Sequence, residues 1–178
     1  SVLRQLHKLG IRNTVMMTGD SYRTAEAIAR QVGVDQFFAE VLPEDKANFV
    51  QKAKAEGRTV VMIGDGMNDS PALSAADIGI AINSGAAIAR EIADVTIKAD
   101  SLEELVTLKT IANALQHRVS SNYRFVLSFN STLIALGALG ILQPAASAML
   151  HNLSTIGISL RSMTNLIQKP SSAPQLED

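Results

Sequence analysis

Three short polar segments of this sequence carry side chains that suit a phosphate group and a divalent cation. They are Thr18-Gly19-Asp20, Leu42-Pro43-Glu44-Asp45-Lys46 and Gly64-Asp65-Gly66-Met67-Asn68-Asp69. Together they supply a hydroxyl, an ammonium group, carboxylates and glycine backbone. Magnesium binds oxygen ligands, commonly one or two carboxylates with water and phosphate oxygens. Ammonium and backbone N–H groups stabilise the charge on a transferring phosphoryl group. The segments therefore indicate a phosphoryl site that uses magnesium.

The strands and helices predicted around these segments would bring them to one edge of a sheet. A β-rich run at residues 14–17 precedes the first segment, and residues 59–63, an apolar run typical of a strand buried on both faces, precede the third. Pro43 opens a helix, and Asp69 is predicted as the N-cap of another. The other predicted elements are helices at residues 21–32 and 86–92 and strands at 37–41, 78–82 and 94–97. This alternation predicts an α/β fold with a parallel sheet and helices on both faces. Ligands bind such a sheet beyond the carboxyl ends of its strands.

Charge is unevenly distributed along the chain. Residues 125–160 contain no Asp, Glu, Lys or Arg, although 19% of all residues are charged. Two segments, 125–142 and 145–167, approach the length of about 20 residues, with a range of about 17 to 25, that a membrane-spanning helix needs. The cationic residues that flank this pair are Arg118, Arg124, Arg161 and Lys169. Positive flanks are typically cytoplasmic. We therefore predict a transmembrane hairpin in a lipid bilayer with the α/β domain in the cytoplasm. The alternative is a pair of buried helices in a soluble bundle.

These patterns divide the chain into four parts. Residues 1–100 form the α/β domain, and residues 101–124 form a helical stalk that begins with a capping box at Ser101 and Glu104. Residues 125–167 form the hairpin. Residues 168–178 are a Pro- and Ser-rich tail that is expected to be disordered.

Composition excludes several classes of function. The net charge is −1, aromatic residues make up 4% of the chain, and no basic run is present, which argues against a nucleic-acid partner. Cysteine is absent. A disulfide framework, a cysteine-based zinc site and a thiol nucleophile within these residues are therefore excluded.

The third segment carries a resemblance to a known family. Residues 64–73, read as Gly-Asp-Gly-Met-Asn-Asp-Ser-Pro-Ala-Leu, resemble the hinge motif of P-type ATPases, members of the haloacid-dehalogenase-like superfamily. The other two segments resemble two further motifs of that family in the same order, and the resemblance extends over about residues 1–167. It implies a Rossmann-type sheet, with Mg²⁺ and ATP as cofactors. The roles it implies are catalysis by Thr18, Lys46 and Asp65, phosphate binding by Thr18, Gly19, Lys46 and Asn68, and magnesium binding by Asp65 and Asp69.

Two apolar segments, and no more, follow the α/β part. This arrangement resembles that of the heavy-metal-transporting P-type ATPases. In that group, polar side chains of these segments help to bind the transported ion. The matching candidates are Asn130, His151, Asn152, Ser154 and Thr155. A polar residue inside a membrane is costly and marks a functional site by default, although Ser and Thr often bond to their own helix. Because imidazole suits transition metals, the expected cargo belongs to the Zn, Co, Ni, Cd or Cu class, with no single metal assigned.

The resemblance implies that this chain is part of an ATP-driven pump that exports metal across the cell membrane through an aspartyl-phosphate intermediate. The family's nucleophile motif, Asp-Lys-Thr-Gly-Thr, is not in the sequence. The nucleophile and the nucleotide-binding domain are therefore expected in the remaining domains of the same pump, and this chain is expected to be inactive alone. Two alternatives are a membrane-anchored phosphatase of the same superfamily, which needs its own nucleophile motif, and a non-catalytic membrane scaffold. The intact set of Thr18, Lys46, Asp65 and Asp69 argues against the scaffold.

Overall fold

The computed structural model describes residues 2–65, 68–82, 91–97 and 102–166 of the chain. They belong to two compact units, Ser1–Thr107 and Leu108–Asp178. In chain order the elements are α1 (Val2–Lys8), β1 (Val15–Met17), α2 (Tyr22–Val32), β2 (Gln36–Phe38), α3 (Pro43–Ala55), β3 (Val61–Gly64), α4 (Ser70–Ala75), β4 (Ile78–Ile82), β5 (Val95–Ile97), α5 (Glu103–Ala138) and α6 (Pro144–Ser162). Most of the helix predicted at residues 86–92, the cap at Ser101, Lys169 and the tail lie outside the described residues.

All strand pairing in the described part of the first unit is parallel, as predicted. β1 pairs with β2 in one sheet, and β3, β4 and β5 form a second sheet in that order. β2 ends at Phe38 rather than at residue 41 because Glu40 has φ of 55°, a left-handed conformation that an extended strand cannot contain. The α/β fold with parallel strands is therefore confirmed.

A hydrophobic core cluster of the first unit lies between α3, β3 and α4. Its fully or nearly buried members are Val50, Met62, Ala72 and Leu73, and Met17 at the end of β1 packs against them. The expectation that β3 is buried on both faces is wrong for the described chain. Met62 is 8% exposed, whereas Val61, which points to the opposite face, is 40% exposed. The helices α3 and α4 thus cover one face of this strand.

Aspartates fix the alignment of the strands at their amino ends. β2, β4 and β5 each begin one residue after an aspartate, and each carboxylate accepts a hydrogen bond from a backbone N–H near the start of the preceding strand. The three donor–acceptor pairs are Thr14 and Asp35 at 2.7 Å, Val60 and Asp77 at 2.8 Å, and Gly79 and Asp94 at 2.8 Å. These bonds satisfy backbone donors at or near the starts of the strands.

Two of these carboxylates have altered acidity. Hydrogen bonds from the Thr14 hydroxyl and N–H lower the pKa of Asp35. The Val60 N–H, with a further contribution from Lys54, lowers the pKa of Asp77. In both cases the bonds favour the ionised carboxylate.

The second unit is a pair of helices. α5 continues without interruption through the predicted stalk and most of the first apolar segment, and Gly140, with φ of 70°, lies in the turn before α6. Pro144 occupies the first turn of α6, where its missing N–H costs nothing. Leu133 is buried, whereas α6 contains no buried residue.

The predicted transmembrane hairpin is not confirmed. Within residues 2–65, 68–82, 91–97 and 102–166, no helix combines the length and the apolar character that crossing a membrane requires. α5 ends at Ala138, so residues 139–142 of the first predicted span lie outside the helix. His151 and Asn152 lie within α6 and reduce its apolar character.

Candidate phosphate and magnesium site

Thr18 directly follows β1 and is held by its backbone. Its N–H donates to the Phe38 carbonyl at 3.0 Å, and its own carbonyl accepts from the Val41 N–H at 3.0 Å. The Thr18 hydroxyl donates to Oδ2 of Asp20 at 2.8 Å and accepts from the Asp20 N–H at 3.2 Å. Gly19, between them, is exposed. The first motif is therefore a tight turn at the carboxyl end of β1, with its hydroxyl fixed by a carboxylate.

Lys46 and Asp69 form an ion pair at the site. Lys46 lies in the first turns of α3 and Asp69 directly precedes α4, and Lys46 Nζ lies 2.7 Å from Asp69 Oδ1. The two side chains are only 13% and 14% exposed. Loss of either partner would leave the other charge uncompensated in surroundings that are largely removed from water.

Asp69 does not act as the side-chain cap expected from the sequence. No side-chain hydrogen bond caps α4, although the Asp69 carbonyl accepts the N–H of Leu73 at 2.8 Å. The carboxylate is directed to Lys46 instead. The ion pair thus takes the place of the cap.

Gly64 makes this arrangement possible, and sequence reasoning missed its role. A Cβ atom at Gly64 would lie 2.5 Å from Asp69 Oδ2 and 2.8 Å from Asp69 Cβ. Such distances are well inside van der Waals contact, so only glycine lets the end of β3 approach Asp69 this closely. The signal in the sequence was the glycine directly after a strand and before the acidic loop.

Asp65 follows Gly64 and is exposed at the carboxyl end of β3, and Asn68 is also exposed. Gly66 and Met67 lie outside the described residues. Met17, next to Thr18, packs on the cluster that contains Met62, two residues before Gly64. The ends of β1 and β3 therefore lie in the same region of the unit. Within the described residues, side-chain hydrogen bonds join Thr18 to Asp20 and Lys46 to Asp69.

The donor set at the end of β3 fits magnesium. Hard oxygen ligands are supplied by the Asp65 carboxylate, and one or two protein carboxylates suffice because Mg²⁺ keeps several waters and phosphate oxygens. Asp69 is engaged through Oδ1 with Lys46. In the described residues, no group of three or more His, Cys, Asp or Glu side chains is arranged to hold a metal ion.

A second polar cluster lies in the helical unit. His151 Nδ1 is 2.9 Å from Asn130 Oδ1, and both line an open cleft of about 650 Å³ together with Asn152. Because an amide oxygen can only accept, this bond places the proton on Nδ1 and leaves the Nε2 lone pair available in the neutral ring.

The nearby hydroxyls of Ser154 and Thr155 bond to the backbone rather than to the cleft. Ser154 and Thr155 both donate to the His151 carbonyl, at 2.8 and 3.1 Å. Both hydroxyls are thus bonded to the backbone of their own helix. Of the five polar candidates in these helices, the structure brings Asn130 and His151 into direct contact and places Asn152 on the same cleft.

Comparison with known proteins adds an independent observation. Residues 1–77 match the haloacid dehalogenase-like hydrolase family. Over 158 residues, or 88% of this chain, the chain is 40% identical to the manganese-exporting P-type ATPase of Mycobacterium leprae. Over 164 residues, or 91% of this chain, it is 40% identical to a protein of Enterococcus hirae described as a probable copper-importing P-type ATPase A.

A solved structure is similar over almost the same length. A zinc-transporting PIB-type ATPase in its E2.Pi state superimposes with a TM-score of 0.82 and 32% identity, over 91% of this chain and 26% of that chain. This chain spans 22% of the length of each of the two curated relatives.

Proposed function

We propose, from the premise that this chain belongs with the heavy-metal P-type ATPases, that it is the C-terminal part of an ATP-driven pump for a transition metal. The proposed reaction is ATP hydrolysis through an aspartyl-phosphate intermediate, coupled to metal movement across the cell membrane. Because the chain spans 22% of the curated relatives, the remaining domains of the pump would supply the nucleotide site and the nucleophilic aspartate. The chain alone is then expected to be inactive.

The Lys46–Asp69 pair is the observation that carries this proposal. It joins the first turns of α3 to the loop between β3 and α4, at 2.7 Å and largely out of water. The ammonium group is thereby held in one place before a phosphate arrives. A fixed, partly desolvated cation stabilises developing phosphoryl charge without the cost of reorganising at the moment of reaction.

Charge balance supports a need for magnesium. The described residues of the three motifs carry the carboxylates of Asp20, Glu44, Asp45, Asp65 and Asp69 and the ammonium group of Lys46. A phosphate would be repelled by that balance, so a divalent cation must accompany it. Asp65 would hold Mg²⁺ with Asp69 in support, and the bound ion would neutralise phosphate oxygens. Thr18, Gly19 and Asn68 would orient the phosphate through the hydroxyl, the N–H group and the amide.

The helical unit is proposed to lie in the lipid bilayer of the assembled pump, with the α/β unit in the cytoplasm. Large apolar side chains of this unit are exposed, including Ile134 at 73% and Leu139 at 72%. The polar side chains of α6 would then face other helices of the pump. The similarity to P-type ATPases described as exporting or transporting metals supports this assignment.

His151 is the proposed ligand of the transported ion, with Asn130 fixing its tautomer. The Nδ1–Oδ1 bond of 2.9 Å would leave Nε2 to bind metal, which is the usual arrangement in which one ring nitrogen is oriented and the other coordinates. Asn152 lies on the same cleft. Ser154 and Thr155 are weaker candidates because their hydroxyls are bonded to the His151 carbonyl.

The available ligands favour some metals over others. The sequence-based expectation did not include manganese, yet one related pump exports it. Manganese prefers carboxylate and water ligands, whereas imidazole suits zinc, copper, nickel and cobalt. Residues 108–166 contain no Asp or Glu. We therefore assign the cargo to the metals that imidazole prefers. The related pumps include both an exporter and an importer, and export is proposed from the family resemblance.

The test is phosphoenzyme formation from radiolabelled ATP in the pump assembled from this chain and its preceding domains. Lys46→Ala is expected to lower the rate of phosphoryl transfer by about 100-fold, the usual order for loss of one preorganised charge-stabilising group. The matched control is Lys52→Ala, since Lys52 lies exposed on the same helix. Equal activity of the two variants would contradict the proposed role of the pair, and absence of any phosphoenzyme in the wild type would contradict the pump.

A further inference from the structure

A cationic cleft of the helical unit takes no part in the site just described. The cleft is open, has a volume of about 320 Å³, and lies between the middle of α5 and the end of α6. Its lining residues are Ala114, His117, Arg118, Arg161, Thr164 and Leu166. Two of the six are permanently charged, one is a histidine and none is acidic. Walls of one sign of charge attract and concentrate an anion.

No carboxylate within the same part of the chain compensates these charges. Residues 108–166 contain Lys109, Arg118, Arg124 and Arg161 and no Asp or Glu. In the described part of this unit, the cations therefore lack an internal counter-ion. Two of them, from two different helices, converge on the cleft.

The guanidinium group of Arg118 is hydrogen-bonded to neutral groups and retains its positive charge. Its guanidinium donates to the carbonyl oxygens of Ser162 at 3.3 Å, Thr164 at 2.5 Å and Asn165 at 3.2 Å. All three acceptors are neutral, so the full positive charge remains. These bonds also satisfy carbonyls at the C-terminal end of α6 and just beyond it, a position where a cation is stabilising.

Arg161 is the second cation of the cleft and is exposed. Among the described residues, its guanidinium has no hydrogen bond or ion pair. Guanidinium groups match the geometry of phosphate oxygens and bind them through two parallel N–H bonds. One fixed and one uncommitted arginine, with a histidine beside them, form a site that suits a single phosphate group.

We propose that this cleft binds a phosphate group, either in the headgroup of an anionic lipid or free in solution. The lipid source follows if the helices lie in a bilayer, because basic pockets between helices at the cytoplasmic side hold anionic headgroups. Only this choice of source rests on the function proposed above. The cleft itself requires nothing of the metal or of ATP.

The experiment measures binding of short-chain phosphatidylglycerol, short-chain phosphatidylcholine and inorganic phosphate to the full chain in detergent micelles by native mass spectrometry. Arg161→Gln removes the uncommitted cation of the cleft. Arg124→Gln removes the same charge from α5 outside the cleft and is the matched control. Arg118 is left unchanged because its loss would also free the carbonyls at the end of α6.

The wild type is expected to prefer phosphatidylglycerol over phosphatidylcholine, and Arg161→Gln is expected to weaken phosphatidylglycerol binding about tenfold, as for loss of a charge-assisted hydrogen bond. Arg124→Gln is expected to change it less than twofold. If inorganic phosphate alone binds and is lost in Arg161→Gln, the site stands with a soluble anion as its ligand. Equal effects of the two variants, or no binding of either anion, would overturn the proposal.

A different experimental result would contradict the membrane location of the proposed pump. If the chain does not enter phosphatidylcholine nanodiscs, the membrane assignment fails. Binding of inorganic phosphate that depends on Arg161 would still support the cleft.

Discussion

Gly64→Ala is the substitution that tests most directly how the phosphate site is built. The added Cβ would lie 2.5 Å from Asp69 Oδ2 and 2.8 Å from Asp69 Cβ. The Asp69 backbone is restrained, since its carbonyl accepts the Leu73 N–H at 2.8 Å. The Asp69 carboxylate must therefore rotate away from the new methyl group, which breaks the 2.7 Å bond to Lys46, and the close contact with Asp69 Cβ is relieved only by a shift of the backbone. One small methyl group would thus separate the two charges.

The magnitude combines two terms. Rotation of the carboxylate does not move Asp69 Cβ, so an overpacking cost of about 1–3 kcal/mol remains. The lost hydrogen bond between charged groups that are largely out of water adds about 1.5–3 kcal/mol. We expect Gly64→Ala to lower the free energy of unfolding of the α/β unit by about 2.5–6 kcal/mol.

Urea unfolding followed by circular dichroism measures this change, and a double-mutant cycle identifies its cause. In an Asp69→Gly background the atoms that clash are absent. Gly64→Ala should then cost little beyond Asp69→Gly alone. A cost that is the same in both backgrounds, or no cost in the wild type, would refute the reasoning.

Two further predictions concern pH and metal. Asp35 and Asp77 have folded-state pKa values below the ordinary 3.8, so their contribution to stability is fully present above pH 3.8 and is lost as the pH falls through the folded values. Below pH 3.8, the free energy of unfolding of Asp77→Asn should therefore depend less on pH than that of the wild type. An unchanged pH dependence would contradict the lowered pKa of Asp77. His151→Ala in the assembled pump is expected to abolish metal-stimulated ATPase activity and to weaken metal binding measured by competition with a chelator, because no second imidazole lines that cleft. Ser128→Ala is the control, since its hydroxyl donates to the Phe125 carbonyl of its own helix. Equal ion dependence in both variants would place the metal site elsewhere.

Local patterns made parts of the fold predictable. Alternating strand and helix signals identified the parallel strands, because side-chain periodicity and turn residues act within a few positions of the chain. The predicted ends of the strands and helices were less accurate. β2 ended earlier than expected because the conformation of Glu40 depends on its bond to the Asp20 carbonyl, a contact across the fold.

The candidate site shows the same division. The resemblance of the three motifs to a known family predicted that Lys46 contacts the phosphate and that Asp65 and Asp69 hold magnesium, and these roles remain predictions. The ion pair between Lys46 and Asp69, 23 positions apart, and the tight approach of Gly64 to Asp69 could not be deduced. Both depend on how α3 and α4 pack against β3.

The helical unit shows most clearly what depends on the sequence and what depends on the tertiary structure. The order of the residues alone shows that residues 125–160 contain no Asp, Glu, Lys or Arg and that cationic residues flank them. The bond between Asn130 and His151 and the convergence of Arg118 and Arg161 on one cleft depended on the packing of α5 against α6. Sequence determines which chemical groups a chain possesses and the local periodicity that forms its helices and strands. Tertiary structure decides which of those groups meet, because contacts between distant residues arise only when the elements pack.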